Sequence, residues 1–302
     1  MLYTAQTLPV CQIALSDWQL VKISGADSRK YLQGQITANI EQLTPTQAIF
    51  AAHCDPKGKV WSNMILFQRG EDIYYIERKS VVEQQVNELK KYAIFSKLTI
   101  EVETELALIS LAGDLTNWAN LPEMAAEQNC VTTQNITFIK LEQPATRYFV
   151  IGSQADFSTL NLPNNSVELP NQQWQFLDMQ AGFAIIDHAA MAQYLPQSFN
   201  LQNIGAIDFH KGCYCGQEMV ARAQFRGINK RALYLLSGQS ETLPNVGDAL
   251  EMQLGENWRD TGFVLCALMV NDTVFVQAIL NNDTDETHQF RVKNSHSHLA
   301  LC

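Results

Sequence analysis

The order of apolar and polar residues in the first two thirds of the chain predicts short strands mixed with helices. Leu20 to Ile23 is a short run of strand-forming residues, and the turn residues 24–27 after it lead into a helix through Tyr31 and Leu32. The apolar residues Val82, Val86, Leu89 and Ala93 recur at the spacing of one helical face. A second, amphipathic helix is therefore predicted there.

Three more apolar runs are typical of strands, namely Ile73–Ile76, Leu108–Leu111 and Tyr148–Ile151. Strands interleaved with helices favour an α+β fold over an all-β or a purely helical one. Residues Leu162–Gln173 are rich in Pro and Asn, which predicts a surface loop or a junction between subdomains.

The pattern changes beyond Lys230. Three apolar runs without helical periodicity are separated by turn residues, and they span Leu233–Leu236, Gly262–Val270 and Val274–Leu280. This arrangement predicts a small all-β domain over residues 230–302. Cys266 falls inside one of these runs and is expected to be a core residue of a strand.

Composition adds limits on function. The chain has 302 residues, of which 46% are hydrophobic and 17% charged, as in a folded protein of about two domains. Its formal net charge of −10 argues against a general nucleic-acid or anionic-membrane binder. Any anion that the protein holds must therefore meet a local basic patch.

The expected compartment is the cytoplasm. The first cation is Lys22, so the N-terminus lacks the charged region of a signal peptide, and the longest apolar run, Phe263–Val270, is too short to cross a bilayer. Seven scattered cysteines without an export signal are typical of reduced thiols.

The densest chemistry lies between His210 and Glu218. Two glycines, Gly212 and Gly216, flank two thiols and an aromatic residue, which predicts a tight loop that a ligand can approach closely. Lys211 stands two residues before Cys213, and a nearby cation favours the thiolate form. From Lys211 to Arg231 there are five cations and one anion, Glu218, in a chain of opposite overall charge.

Simpler interpretations of these residues stay open. Arg222 and Arg226, four residues apart, fit a solvated helix face, and Cys213 fits a small buried hydrophobic residue. Cys213, Cys215 and His210 could ligate a metal, but there is no second cysteine cluster to complete a four-ligand site. We therefore expect no metal site. Nucleotide-binding GxGxxG and Walker A, zinc-protease HExxH and serine-hydrolase GxSxG motifs are absent.

The segment Lys211-Gly212-Cys213-Tyr214-x-Gly216-Gln217-Glu218 resembles the signature of the YgfZ family, which is related to the glycine-cleavage T-protein, an aminomethyltransferase. Further blocks resemble that family across nearly the whole chain: residues 31–37, 51–59, 91–97, 196–197, 219–231 and 255–258. Where Cys215 stands, the family signature usually has a threonine-like residue, so the C-x-C pair is particular to this chain.

The resemblance implies an aminomethyltransferase-like fold. Two interwoven α+β subdomains over residues 1–229, followed by a C-terminal β-barrel over residues 230–302, would surround a central channel that binds tetrahydrofolate. It also implies a cytoplasmic protein that supports iron–sulfur enzymes or assembly proteins, including the enzymes that methylthiolate tRNA. Contact with tRNA itself would then be indirect, and no membrane would be involved.

The resemblance also suggests folate-binding residues. Trp18 and Trp174 look like the tryptophans that the family places against folate, although the residues alone would make both of them core tryptophans. Charge alone motivates Arg222 and Arg226 as partners of the folate carboxylates. The acidic pair of T-proteins corresponds here to Ser62 and Asn63, and neither side chain is an anionic base at neutral pH. This departure argues against aminomethyltransferase activity.

Four functions compete at this stage. The first is a folate-dependent accessory factor with Cys213 as its functional thiol, Lys211 as its electrostatic partner, and Tyr214, Gly216, Gln217 and Glu218 as the rest of the motif. The second is a folate-dependent one-carbon transferase with an unknown acceptor. The third is direct tRNA binding by the basic segment, and the fourth is an iron–sulfur cluster bridged by Cys213 and Cys215.

Overall fold

The computed structural model describes residues 1–163 and 165–302. The helices are α1 Ser28–Gln33, α2 Lys79–Lys90, α3 Gln154–Phe157, α4 Asn171–Gln180 and α5 Gln217–Arg226, with 3₁₀ turns at Ile40–Gln42, Pro196–Phe199 and Leu201–Ile204. The first eleven strands are β1 Cys11–Ile13, β2 Trp18–Ser24, β3 Ile49–Cys54, β4 Val60–Arg69, β5 Asp72–Arg78, β6 Thr99–Val102, β7 Ala107–Ala112, β8 Cys130–Thr133, β9 Ile136–Leu141, β10 Arg147–Gly152 and β11 Val167–Leu169. The last six are β12 Arg231–Gln239, β13 Ala249–Leu254, β14 Asn257–Val270, β15 Thr273–Asn281, β16 Phe290–Val292 and β17 His298–Leu301.

The first eleven strands form two sheets that the chain visits alternately. One has the order β11-β1-β7-β10-β9-β8 and the other the order β3-β4-β5-β2-β6. The chain starts in the six-stranded sheet at β1, builds the whole five-stranded sheet, and then returns to complete the first. This exchange confirms the predicted α+β fold with two interwoven units.

The C-terminal strands close into a barrel of six, in the order β12-β15-β14-β13-β16-β17. Closure removes exposed sheet edges, and small side chains alternate with large ones to fill the interior. Leu236, Leu250, Val264, Val276 and Phe290 are buried together inside it. The predicted β-barrel is confirmed, and its first strand begins at Arg231.

The five-stranded sheet is buried on both faces. Helix α2 covers one face with Val82, Val86 and Leu89, as the periodicity predicts. Ala93 was expected on the same helix, but α2 ends at Lys90 because the next turns close through tighter bonds, from the Ala93 N–H to the Lys90 carbonyl for example. The opposite face packs against the six-stranded sheet, and the two sheets enclose the cavity described below.

Residues Leu162–Gln173 correct one prediction. They were expected to be a loop, but Val167–Leu169 forms β11, which pairs in parallel with β1, and α4 begins at Asn171. A strand of three residues is too short for its side-chain pattern to be visible in sequence. Position 164, in the same stretch, lies outside the described residues. Within the described ranges, no helix combines the length and the apolarity needed to cross a membrane.

Candidate functional site

A narrow cavity of about 30 Å³ lies between the two sheets. Trp18 at the start of β2 and Asn63 in β4 contribute from the five-stranded sheet, and Asp178 projects from α4. The remaining walls are mostly apolar or aromatic: Phe50, Met64, Ile65, Ile76, Leu141, Phe149, Phe183, Ala184 and Ile204. Apolar walls with few polar groups are typical of sites for small organic ligands.

Aromatic rings line and support this cavity. Phe50 and Phe183 lie with their ring centroids 5.1 Å apart, and Trp18 meets Phe149 edge to face at 5.5 Å. The centroid of Trp174 lies 4.4 Å from that of Phe149, and Trp174 is fully buried. The structure therefore brings Trp18 to the cavity wall and places Trp174 outside the lining, as a support for Phe149. The Trp18 Nε1–H is buried with no hydrogen-bond partner among the described residues.

Asp178 supplies a buried carboxylate to the cavity. Its Oδ1 accepts a hydrogen bond of 2.7 Å from Arg147, whose side chain is fully buried and whose guanidinium lies 4.5 Å from the centroid of Trp174. Burial raises the pKa of Asp178, and the Arg147 charge opposes that rise. Sequence reasoning missed both residues. A charged residue inside the otherwise apolar run Phe176–Met179 of α4 is the signal that could have found Asp178.

A second arginine, Arg78, connects the residue before β2 with the segment after α4. Arg78 donates from Nε and Nη2 to the Asp187 carboxylate at 3.2 and 3.1 Å, and from Nη2 to Asp17 at 3.2 Å. Its guanidinium also lies 5.5 Å from the centroid of Trp18. Asp17 in turn accepts from the amide of Asn171 at 2.6 Å, which ties the start of β2 to the start of α4. This network fixes the position of Trp18 at the cavity.

Ser62 and Asn63, which the resemblance sets against the T-protein carboxylates, lie on opposite faces of β4. Asn63 lines the cavity, and its amide donates to the Ala184 carbonyl at 2.9 Å. Ser62 is fully buried, and its hydroxyl donates to the Asn63 carbonyl at 3.1 Å. A neutral amide has no group basic enough to act as a general base at neutral pH, so Asn63 cannot take that role.

The cavity continues outward into an open groove. Phe50, Leu141, Phe183 and Ile204 belong to the walls of both, and the groove adds polar residues from 126–129 and 140–143. Lys140 lies in this groove, paired with Glu142 at 2.7 Å. Wider depressions elsewhere have the exposed Asp114 as their charged wall residue in the part of the chain described. The groove therefore joins an aromatic slot to an accessible cation, and a separate shallow depression brings the exposed Lys79 to the other side of Trp18.

The signature loop is held rigidly against the segment that follows α1. The Lys211 ammonium donates to the carbonyls of Ile36 and Ala38 at 2.8 and 2.7 Å and lies 5.1 Å from the centroid of Tyr214, which is buried. Burial lowers the pKa of Lys211 to about 8, because the charged form loses hydration. The ammonium that was expected beside Cys213 is instead committed to two main-chain carbonyls, because a desolvated ammonium needs acceptors.

Glycine is required where this loop meets the loop between β3 and β4. Gly216 has φ +82°, and a Cβ there would lie 2.5 Å from the Asp55 carbonyl oxygen and 2.7 Å from the Gly58 Cα. The next residues, Gln217 and Glu218, form the first turn of α5. The two glycines of the signature thus have different roles, since a Cβ at Gly212 would meet nothing within 4 Å.

The two thiols of the C-x-C pair have different environments. Cys213 is exposed, whereas Cys215 is half-buried and its N–H donates to the Gly34 carbonyl at 3.0 Å. Burial raises the pKa of Cys215, and the Asp55 carboxylate adds to that rise. His210 is exposed, and the described residues contain no group of three or more His, Cys, Asp or Glu side chains placed to hold a metal ion. Cys213 is therefore the accessible thiol of the pair.

Arg222 and Arg226 lie on the exposed side of α5 and are not among the residues that line the cavity. The helix buries Val220 and Ala223, so residues on its opposite side point to solvent. Arg222 pairs with Glu218 at 2.6 Å, one helical turn away. Both arginines therefore lie on a solvated helix face, and α5 follows the signature loop directly.

Strand β3 connects the cavity with the signature loop. Phe50 lines the cavity near the start of this strand, and Cys54 ends it beside Asp55, where Gly216 packs. Four residues of extended strand span about 13 Å. The exposed Cys213 does not line the cavity, so the site has two parts joined by one strand.

Comparison with known proteins places the chain in a family. Residues 229–295 match the family model described as "YgfZ, beta-barrel domain". The tRNA-modifying protein YgfZ of Escherichia coli O17:K52:H18 is 47% identical over 303 residues, which covers 97% of this chain and 92% of the relative. The protein of the same name from Shigella boydii serotype 4 matches to the same extent. The chain belongs to the YgfZ family.

The fold of this YgfZ family member is also that of an aminomethyltransferase. The crystal structure of the glycine cleavage system aminomethyltransferase T from Bartonella henselae superposes with a TM-score of 0.74, covering 97% of this chain and 84% of the other. Sequence identity between them is 13%, so this similarity concerns the fold alone. The resemblance inferred from the signature segment is confirmed at the level of family and fold.

Proposed function

We propose that this protein binds tetrahydrofolate and serves as an accessory factor for iron–sulfur enzymes, including those that methylthiolate tRNA, with Cys213 as its functional thiol. The observation that carries the proposal is the two-part site: an aromatic slot with a buried carboxylate, joined by β3 to a rigid loop that presents an accessible thiol. The name of its relatives, tRNA-modifying proteins, supports the link to tRNA.

The residues of the cavity fit a folate chemically. A folate combines flat rings that carry N–H donors and acceptors with a tail that ends in carboxylates. Trp18 offers an aromatic surface and an Nε1–H without a partner, and Asp178 offers a carboxylate oxygen to N–H donors. Lys140 in the outer groove offers a cation to the tail. The ligand would supply one-carbon chemistry when bound, and the protein residues would orient it and exclude water.

The earlier assignments of Trp174, Arg222 and Arg226 to folate remain predictions with different weights. Trp174 would act by fixing Phe149 and Arg147 rather than by touching the ligand. Arg222 and Arg226 would meet a ligand only beyond the cavity walls, and Lys140 is the better placed cation. We therefore favour Lys140 for the carboxylate tail.

The folate part is tested by binding. Trp18→Phe keeps a ring and removes the Nε1–H, so we expect about a tenfold weaker Kd for tetrahydrofolate by calorimetry, from the loss of one buried hydrogen bond. Trp258→Phe is the matched control, because Trp258 lies in β14 of the barrel beside Arg291. No binding by the wild-type protein would refute the folate proposal.

The thiol part is tested by complementation. In a bacterial strain that lacks its own family member, the wild-type protein should restore tRNA methylthiolation, measured by mass spectrometry of tRNA nucleosides. Cys213→Ser should abolish rescue while folate binding is kept. Cys302→Ser is the matched control, since Cys302 is also exposed but lies at the end of the barrel. Full rescue by Cys213→Ser would remove the thiol from the mechanism.

The one-carbon transferase stays the alternative from the sequence. The neutral Asn63 at the cavity wall weighs against aminomethyl transfer by the T-protein route. Incubation with methylene-tetrahydrofolate and a panel of amines and thiols separates the two functions, because a transferase must consume the folate with turnover. An accessory factor binds the folate without turnover.

A further inference from the structure

The loop after α2 projects apolar side chains into solvent. Residues 91–97, named here the apolar projection, include Tyr92, Ile94 and Phe95, which are 52%, 78% and 98% exposed. Three large apolar residues within four positions are unusual for a soluble surface, where such residues are scattered singly. A contiguous exposed group of this kind is typical of a binding surface.

The apolar projection is anchored from below. Ala93 and Leu98 pack against the core under α2, and the turn is closed by bonds from Ser96 N–H to the Ala93 carbonyl. The Lys97 N–H donates to the Asp27 carboxylate at 2.7 Å, and the Asp27 N–H returns a bond to the Lys97 carbonyl at 3.4 Å. The exposed side chains are therefore presented by a fixed backbone, which lowers the entropy that a partner must overcome.

The rim of the apolar projection is basic. Lys90, Lys91 and Lys97 flank it and are exposed, while two acidic neighbours are already paired: Glu88 with Lys91 at 2.6 Å, and Asp27 with the Lys97 N–H. The chain as a whole carries −10, so this local charge selects a partner with carboxylates around an apolar depression. The overall negative charge disfavours a nucleic acid, and the aliphatic Ile94 beside the two aromatic rings adds apolar surface that suits a protein partner.

The apolar projection and the signature loop flank one short helix. Asp27, which precedes α1, holds Lys97, and Gly34, which follows α1, accepts the Cys215 N–H. Six helical residues span about 9 Å. Burial raises the pKa of Tyr31 on this helix, and Tyr92 and Cys215 both add to the rise. A partner on the projection would therefore dock about one short helix away from the signature loop that carries Cys213.

We propose that the apolar projection docks a partner protein, an iron–sulfur enzyme served by the accessory function, through an apolar depression rimmed with carboxylates. This inference rests on the proposed function, which it extends by assigning the surface and the chemistry of the partner. Phe95 is the central contact, and Lys90 and Lys97 supply the charge that orients the partner.

The direct test places a photo-crosslinking amino acid, p-benzoylphenylalanine, at position 95 in living cells, with the same residue at position 254 as control. Leu254 is 40% exposed and lies in the barrel. We expect position 95, and not position 254, to crosslink to a co-expressed tRNA methylthiotransferase. Peptide mass spectrometry of the purified crosslinked product should map the contact to an acidic surface of that enzyme. Crosslinks to RNA, to a second copy of this chain or to nothing would overturn the inference.

The functional test uses Phe95→Asp and the double variant Lys90→Glu with Lys97→Glu, with Leu254→Asp as the matched control. Phe95→Asp and the double lysine variant should each lower rescue of tRNA methylthiolation at least tenfold. Their tetrahydrofolate binding and their alkylation rate at Cys213 should change less than twofold. Rescue equal to wild type would refute the docking surface alone. Failure of the wild-type protein to rescue would refute the proposed function, and the crosslink at position 95 would then still decide docking.

Discussion

Glu77 in β5 is a buried carboxyl group whose protonation must control stability against pH. Its side chain is fully buried, and neither carboxyl oxygen has a hydrogen-bond partner among the described residues. Burial raises the pKa of Glu77 from 4.5 to about 8, and the neighbouring Ser62 hydroxyl opposes part of that rise. The perturbation is Glu77→Gln, which keeps the size of the side chain and removes the titration.

The magnitude follows from the difference in bound protons. Between pH 4.5 and 8 the folded protein holds the Glu77 proton and the unfolded chain does not, so raising the pH favours unfolding. Each pH unit costs about 1.4 kcal/mol, so this group removes about 3 kcal/mol by pH 7 and about 5 kcal/mol by pH 8. Below pH 4.5 both states are protonated, and the full stability is present.

His53 acts in the opposite direction in a lower window. It is fully buried beside Gln85, whose Nε2 lies 3.1 Å from its Nδ1, and burial lowers the pKa of His53 from 6.5 to about 3. Between pH 3 and 6.5 the unfolded chain binds a proton that the folded protein excludes, so stability rises with pH there. The effects of Glu77 and His53 on the unfolding free energy cancel between pH 4.5 and 6.5. The wild-type protein should therefore lose stability only from pH 6.5 to 8.

The assay is urea unfolding, followed by tryptophan fluorescence, of the wild type and Glu77→Gln at pH 5, 6, 7 and 8. The difference in unfolding free energy between the two proteins isolates Glu77, since all other groups are shared. It should move in favour of the variant by about 4 kcal/mol from pH 5 to 8. Parallel curves would refute the reasoning, because they would mean that Glu77 is ionised in the folded protein.

Three shorter predictions concern the site. Lys211→Met should lower the unfolding free energy by about 1–3 kcal/mol, because two carbonyls lose their donor. Iodoacetamide should still alkylate Cys213 within twofold of the wild-type rate. A tenfold slower reaction would show that the Lys211 ammonium activates the thiol. Gly216→Ala should lower Tm by several degrees, and Gly247→Ala should lower it less, because both have positive φ but only the first meets backbone atoms; equal losses would contradict this packing. Lys140→Ala should weaken binding of tetrahydrofolate polyglutamate more than that of a tail-less pterin, and equal weakening would remove Lys140 from the tail.

The sequence was most informative where an element has a regular side-chain pattern. The face of α2 repeats through Val82, Val86 and Leu89, and the barrel strands are long apolar runs, so both were predictable. β11 was not, because three residues cannot display a period, and its place is set by pairing with β1 some 150 residues earlier in the chain. Such long-range pairing is invisible to local reasoning.

For the site, the sequence predicts the chemistry of a residue better than the direction in which its side chain points. The signature segment predicted a tight loop from its glycines, but it left open whether Cys213 is buried, and the structure shows the thiol exposed. It could not show where the Lys211 side chain points, since a four-carbon stem reaches either the neighbouring thiol or the carbonyls of Ile36 and Ala38. The buried pair Arg147 and Asp178 was missed for a related reason: its members are 31 positions apart and meet only when α4 packs on the six-stranded sheet.

The separation between cavity and thiol constrains any mechanism. On the proposed function, a ligand ring between Trp18 and Asp178 would lie about one strand's length from the signature loop, so Cys213 could not attack it without a large movement of a loop that Lys211 and Gly216 hold in place. Chemistry at Cys213 would then involve a group that comes from outside the protein. The apolar projection, at the far end of α1 from Cys215, provides the surface on which such a group would arrive. Folate in the cavity would then set the position of β3 and of the signature loop that packs at its end. Loss of folate should slow rescue of tRNA methylthiolation without changing the reactivity of Cys213 toward small alkylating agents.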